Sequence, residues 1–261
     1  MKALAGTTWG QDNETLIITY KSIGRSVLSY GSPIWSPLIS ETNWSKLQRV
    51  QNSALKISTG TYHNASWQHV HRETKVLPLR EHEKMVAEQY LAACYLPDHP
   101  GGKHLDRPPP PPRRNLKKTL LEYKKDVEPL YANLYTEENY KFIKKEIHTD
   151  TVESTISAYP DNKVLGRTPP PLSKEETKLP RKARATLSQL RSGYSKMLNS
   201  YNNTLDETIP DECPLCSQSP HNTAHLFTCP ANPTNLNIES LWTQPLAAAT
   251  FLNLDMEHEP G

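Results

Sequence analysis

The residues of this chain best equipped for chemistry lie close together near its C-terminal end. Cys213-Pro-Leu-Cys216 is followed, after eight residues, by His225-Leu-Phe-Thr-Cys229, so three thiols and one imidazole fall within seventeen positions. The two-residue gap lets both sulfurs of one turn reach a single ion, and His225 and Cys229, four apart, share one face of a helix. Four such donors close a tetrahedral Zn2+ site and leave no position for water, so a structural role is expected rather than a hydrolytic one. His221 competes as fourth ligand because its spacing after Cys216 is that of a retroviral knuckle, but Cys229 then lies too far along, and His225 is preferred. The alternatives to a metal are free thiols or a Cys213–Cys216 disulfide, a short-turn bridge that is usually strained and redox-active. Cys94 stands alone on a helix face and reads as a small core residue.

The second chemical pattern is cationic. Arg181, Lys182, Arg184, Arg191 and Lys196 occur with no carboxylate between Lys178 and Lys196. The formal charge of +2 conceals a division: residues 1–96 carry +3, 97–196 carry +7 and 197–261 carry −8. A basic middle beside an acidic end points to a polyanion site on the middle segment. No Lys or Arg follows Lys196. A site of three thiolates and one Zn2+ is itself net negative, so it is expected to brace the basic helix while the cations contact phosphate. Tyr194 and Tyr201 lie on the packing stripe of that helix, where core packing is the first reading and base stacking the second.

Helices must position these groups. Leu16, Tyr20, Ile23 and Val27 trace one apolar stripe that ends near Tyr30-Gly31, with Pro33 blocking its continuation. Trp44, Leu47, Val50, Gln51, Ala54 and Leu55 trace a second, closed by Gly60. Met85, Tyr90, Leu91 and Cys94 mark a third, over about 80–96. Leu116, Leu120, Tyr123, Val127, Leu130 and Leu134 form a stripe that Pro129 kinks or divides. Tyr140, Ile143 and Ile147 mark a short helix, and Asp150 with Glu153 matches a capping box for a further one. Ala183, Leu187, Leu190, Tyr194, Leu198 and Tyr201 predict one long basic helix begun after Pro180 and weakened by Gly193. Ile238, Leu241, Trp242, Leu246, Phe251 and Leu252 supply a final pair broken at Pro245.

With 23 prolines against 10 glycines, the spacers are stiff rather than loose. Pro108–Pro112 forms a polyproline II rod that reads as a spacer and offers a possible protein-docking segment, and Pro169–Pro171 forms a second spacer. Hydrophobic residues make up 36% and mean hydropathy is −0.68, values low enough to expect partly unpacked chain. No apolar run reaches the length of a membrane span. Met1-Lys2 opens no signal peptide, so the thiols are expected to stay reduced. The expected fold is mainly α: a small helical bundle over 1–96, a proline-rich linker over 97–115, a helical and partly disordered connector over 116–172, and over 173–261 the long basic helix, the zinc-braced module and C-terminal helices.

Several segments together resemble the C-terminal portion of a non-LTR retrotransposon reverse transcriptase of the jockey-like kind. Leu4-Ala-Gly-Thr-Thr-Trp-Gly10, Leu16 to Tyr20, Arg25-Ser-Val-Leu-Ser-Tyr-Gly-Ser-Pro-Ile-Trp35 and Leu47-Gln-Arg-Val-Gln-Asn-Ser-Ala-Leu55 are similar to the thumb that follows the polymerase palm. Leu190-Arg-Ser-Gly-Tyr194, the Cys-Cys-His-Cys cluster, and Leu241-Trp242 through Phe251-Leu252 resemble the family's terminal zinc region. The resemblance implies a thumb-like bundle that holds a primer–template duplex and a zinc region that binds element RNA or target DNA. Polymerisation needs paired acids to hold two metal ions, and the chain has no Tyr-X-Asp-Asp. It is therefore expected to bind nucleic acid without catalysis. The alternatives are a protein-interaction or structural zinc module with no nucleic-acid role, and the tail of an active reverse transcriptase whose palm lies upstream. Nuclear residence fits the parent element, although the basic runs at Arg113-Arg114 and Arg181-Lys182 are short.

Overall fold

The computed structural model describes residues 1–6, 10–105, 120–124 and 136–254. The Pro108–Pro112 rod and most of the Leu116–Leu134 stripe lie outside the described residues; within that stripe only the 3-10 turn Leu120–Tyr123 is described. The fold is mainly helical, with no strand among the described residues. The chain divides into two compact units, each assembled from separated segments: Met1–Tyr20, Asn52–Lys75 and Pro160–Gly261 in the first, Lys21–Gln51 and Val76–Tyr159 in the second. This division crosses the boundaries at 96, 115 and 172 that composition suggests.

Asp12 starts helix α1 (Asn13–Thr19), its carboxylate accepting the Thr15 amide at 2.6 Å. The single helix expected through Val27 is interrupted by a π-helical turn, Tyr20–Arg25, before α2 (Ser26–Ser29). A π turn takes in an extra residue and rotates everything downstream, so Leu16 and Tyr20 stay buried whereas Ile23 and Val27 are 67% and 74% exposed. Gly31, at φ 64, ends this stretch, and Pro33 then sits in the first turn of α3 (Ser32–Trp35), where its missing N–H costs nothing. Pro33 opens a helix there instead of only closing one.

Helix α4 (Glu41–Thr59) follows the expected stripe, burying Trp44, Gln51, Ala54 and Leu55 but exposing Val50. Gly60 takes the left-handed conformation that ends it. Helix α5 (Trp67–Thr74) was not marked by the apolar pattern; Ser66 caps it by accepting from the His69 amide at 3.1 Å. Helix α6 (Leu79–Cys94) buries Met85, Leu91 and Cys94 and leaves Tyr90 exposed. Helix α7 (Glu137–Ser157) is one continuous helix where two short segments are expected. Ile143 and Ile147 pack with Leu77, Met85 and Ala92 in the core of the second unit, and Val152 extends the same contact past Asp150. Continuous packing on one face therefore overrides the local capping signal.

In the first unit, Pro180 precedes α8 (Arg181–Ser192), which ends at Gly193 with φ 75. The long helix expected as far as Tyr201 is thus two, the second being α9 (Asn199–Leu205). Glycine here terminates the helix as a left-handed cap rather than weakening its middle. Helices α10 (Thr223–Thr228), α11 (Ser240–Thr243) and α12 (Pro245–Phe251) complete the unit, with the break at Pro245 where it is expected. Leu187, Leu190, Leu198, Phe227, Leu241 and Trp242 form its core, each fully buried leucine contributing about 1.5–3 kcal/mol.

Candidate metal centre and the cationic helix

A tight turn presents the first two sulfurs: the Ser217 amide donates to the Cys213 carbonyl and the Cys213 amide to the Gln218 carbonyl, both at 2.8 Å. Asn222 caps α10 by accepting the His225 amide at 3.0 Å, which places His225 in the first turn and Cys229 just past the last. The ligand atoms of Cys213, Cys216, His225 and Cys229 all lie within 4.8 Å of one another, so these residues can hold a metal ion. All the cysteines of the cluster are free.

Two of the spacings come close to the edges of a tetrahedron. With metal–sulfur bonds of about 2.3 Å and metal–nitrogen bonds of about 2.0–2.1 Å, its sulfur–sulfur and sulfur–nitrogen edges are about 3.8 and 3.6 Å. The Cys213 and Cys229 sulfurs are 3.8 Å apart, and the Cys216 sulfur is 3.3 Å from His225 Nε2. Cys213 and Cys229 are buried, and Cys216 is partly exposed. Burial opposes ionisation of Cys213, but the amides of Leu215 and Cys216, with His225 and the Cys216 thiol, pull its thiol down to about 6. Burial and its thiol neighbours hold Cys216 up. His221 stands outside the group, its Nδ1 accepting the Asn199 amide at 3.1 Å.

The module is fastened to the end of α8. Thr223 Oγ1 donates to the Leu190 carbonyl at 3.1 Å, adding a second donor to an acceptor that the Gly193 amide also engages in the helix cap. Ser200 donates to the His221 carbonyl through both its amide, at 3.2 Å, and its hydroxyl, at 2.9 Å.

The cations expected to form a basic surface do not lie together on one. Lys182 and Lys196 are exposed, but Arg181, Arg184 and Arg191 are buried. Arg181 donates to Asn13 Oδ1 at 2.6 Å and to the Ile57 and Ser58 carbonyls at 3.0 Å, capping the end of α4. Arg184 pairs in bidentate fashion with Glu14. Arg191 donates to Glu73 at 2.8 Å, to Glu176, and through Nε to the Leu241 carbonyl at 3.0 Å. The carboxylates missing from the local sequence thus arrive from other segments. Burial works against charge on Arg191, yet Glu176 and Glu73 together hold its pKa up. Glu73 is pulled below the usual carboxylate range because His69 and Arg191 outweigh its burial, whereas burial holds Glu176 above it. Sequence reasoning missed Glu14, Glu73 and Glu176, and no local spacing marks them. Tyr201 is buried against Tyr62 at 5.5 Å between ring centres, a packing role, while Tyr194 is only partly buried. Cys94 is buried in a helix, as expected of a core residue.

Compared with known proteins, the chain matches no family model, no curated protein and no solved structure. No described helix is long and apolar enough to cross a membrane.

Proposed function

We propose that this chain is a non-catalytic nucleic-acid-binding module, related to the C-terminal portion of a non-LTR retrotransposon reverse transcriptase, in which Zn2+ has a structural role. The observation that carries the reading is the donor set: three sulfurs and one imidazole nitrogen all within 4.8 Å of one another, two of the sulfurs buried. Cys213, Cys216, His225 and Cys229 would hold the ion, and a closed site of this composition supplies cross-linking of the polypeptide rather than an activated water. His225 and Cys229 tie α10 into the cluster, and Thr223 of the same helix holds the end of α8. The exposed Lys182 and Lys196 are the cations of this region left to meet phosphate.

The test has two arms. Metal analysis of reduced, purified protein is expected to give one zinc per chain, removable only with loss of structure in the first unit. Binding to single-stranded RNA is expected to weaken as salt rises, with a log–log slope of about −0.7 per phosphate neutralised. Lys182→Ala and Lys196→Ala should each reduce that slope, whereas a slope near zero in the unaltered chain defeats the nucleic-acid reading.

A second reading, a zinc-stabilised protein-interaction module, draws support from one observation: Arg181, Arg184 and Arg191 are already engaged inside the protein. Stoichiometric zinc with no salt-dependent RNA binding would favour it.

A further inference from the structure

Two cavities of the first unit share lining residues, and Cys213, Cys216, His225 and Cys229 line neither of them. The larger, of about 340 Å³, has aromatic and apolar walls from Tyr194, Tyr201, Leu198 and Val164. The smaller, of about 170 Å³, has Asn64, Ser66, Gln68, His69 and Arg72 in its walls. Lys163 and Tyr194 line both.

The charge of the smaller cavity is set by few groups. Arg72 lies against the Pro160 carbonyl at 3.4 Å, and Lys163 is exposed. Burial lowers the pKa of His69, whose Nε2 lies 3.6 Å from Glu73 Oε1, and Glu73 is in turn engaged by Arg191. Asp161 also lines the cavity, with its Oδ1 accepting the Thr168 hydroxyl at 3.3 Å. Two cations, Arg72 and Lys163, line this cavity together with one exposed carboxylate, Asp161, so its wall offers cationic donors to an anionic group.

Lys163 links the two spaces. Its Nζ lies 4.6 Å above the Tyr194 ring centre and 3.5 Å from the Tyr194 hydroxyl. An exposed lysine changes rotamer easily, so the ammonium can leave the ring for an anion in the smaller cavity and open the aromatic face to a planar ligand. The serine and threonine hydroxyls lining the larger cavity already donate elsewhere: Ser200 to the His221 carbonyl, Thr204 to the Tyr201 carbonyl at 2.6 Å and Thr223 to the Leu190 carbonyl. A planar ligand there is held chiefly by stacking on the tyrosine faces.

We propose that the two cavities together bind one nucleotide of a single strand, its phosphate between Arg72 and Lys163 and its base on Tyr194, with little preference among bases. This inference rests on the nucleic-acid reading above and gives it a specific contact point.

The experiment titrates the full zinc-loaded chain with adenosine 5′-monophosphate, uridine 5′-monophosphate, adenosine and inorganic phosphate, followed by NMR. The two nucleotides are expected to bind within about tenfold of each other and more tightly than adenosine or phosphate. Lys163→Ala, a surface change, should weaken both about tenfold, Lys163→Arg should restore binding, and Tyr194→Leu should weaken the nucleotides while leaving phosphate unaffected. Phosphate binding as tight as nucleotide binding, or nucleotide affinity unchanged in Lys163→Ala, overturns the site. A labelled twelve-residue oligouridylate separates this inference from the broader one. Oligouridylate binding that Lys163→Ala and Tyr194→Leu leave unaltered sinks the site and spares the strand-binding reading. Nucleotide binding that depends on Lys163, without oligouridylate binding, supports the site and sinks strand binding.

Discussion

Arg191 and Glu73 are 118 positions apart in the chain, yet Nη1 of the first meets Oε1 of the second at 2.8 Å, with side chains 0% and 7% exposed. Glu176 completes the arrangement from the other side. Removing one member of a buried ionic cluster leaves the others charged and desolvated, a loss of about 3–5 kcal/mol. Arg191→Met is therefore expected to lower the urea-unfolding free energy by that amount. Adding Glu73→Gln and Glu176→Gln to the same chain should recover part of it, since the residual charges vanish. A loss under about 1 kcal/mol for Arg191→Met would show the cluster to be energetically idle.

Glu14 makes stability depend on pH. Its hydrogen bond to Arg184, set against partial burial, holds its carboxyl below the usual glutamate value. A folded-state pKa below the unfolded one contributes stability that is present above the unfolded value and lost as pH falls through the folded one. Asp12, lowered mainly by the Thr15 amide, acts in the same direction. The Glu14 side chain is half exposed, so its share is at most about 1 kcal/mol. Thermal unfolding followed from neutral pH downward should show a decline beginning in the carboxylate range, and Glu14→Gln should flatten it. An unchanged profile in that variant would remove Glu14 from the account.

The two histidines of the C-terminal module should separate cleanly by substitution. His225→Ala removes a donor nitrogen and is expected to abolish stoichiometric zinc in metal analysis. His221→Ala removes only the acceptor for the Asn199 amide, and is expected to keep one zinc while losing about 1 kcal/mol of stability. Reversal of the two outcomes would reassign the fourth ligand.

Close packing makes Gly60 harder to replace than Gly193. Both have positive φ, but a Cβ on Gly60 would meet the Ala185 Cβ at 2.5 Å, against 3.0 Å from Val164 Cγ2 for Gly193. Left-handed strain and overpacking together put Gly60→Ala at about 2–5 kcal/mol. Gly193→Ala, mostly strain, should cost about 1–2 kcal/mol. Denaturant melts of the two variants check the order.

The Cys/His cluster was legible in the sequence because its geometry is local. Cys213 and Cys216 belong to one turn and His225 and Cys229 to one short helix with its cap, so spacing alone carries the information. The fate of the arginines was not legible. Arg181, Arg184 and Arg191 look unneutralised over Lys178–Lys196, but Asn13, Glu14 and Glu73 reach them from 115 or more positions away. Apolar periodicity located α4, α6 and α8, each of which carries a buried apolar stripe. It failed across Tyr20–Arg25, where a π turn shifts the phase, and gave no sign of α5, where His69, His71 and Thr74 are among the buried residues. Polar side chains inside a helix face leave no hydropathy signal, because their burial depends on partners that only the assembled unit supplies.

The segmented make-up of the first unit constrains the order in which the chain can mature. Asn13 and Glu14 are made well before their partners, since the guanidiniums they accept belong to Arg181 and Arg184, 168 and 170 positions later. At about 5–20 residues per second, translation holds the early segment without its partners for on the order of ten seconds or more. The second unit, by contrast, is complete once Tyr159 has been made. Newborn chains thus pass through an interval in which a finished inner unit is flanked by an N-terminal segment whose acidic groups await their cations, the interval in which a chaperone or a misplaced basic partner has its opportunity.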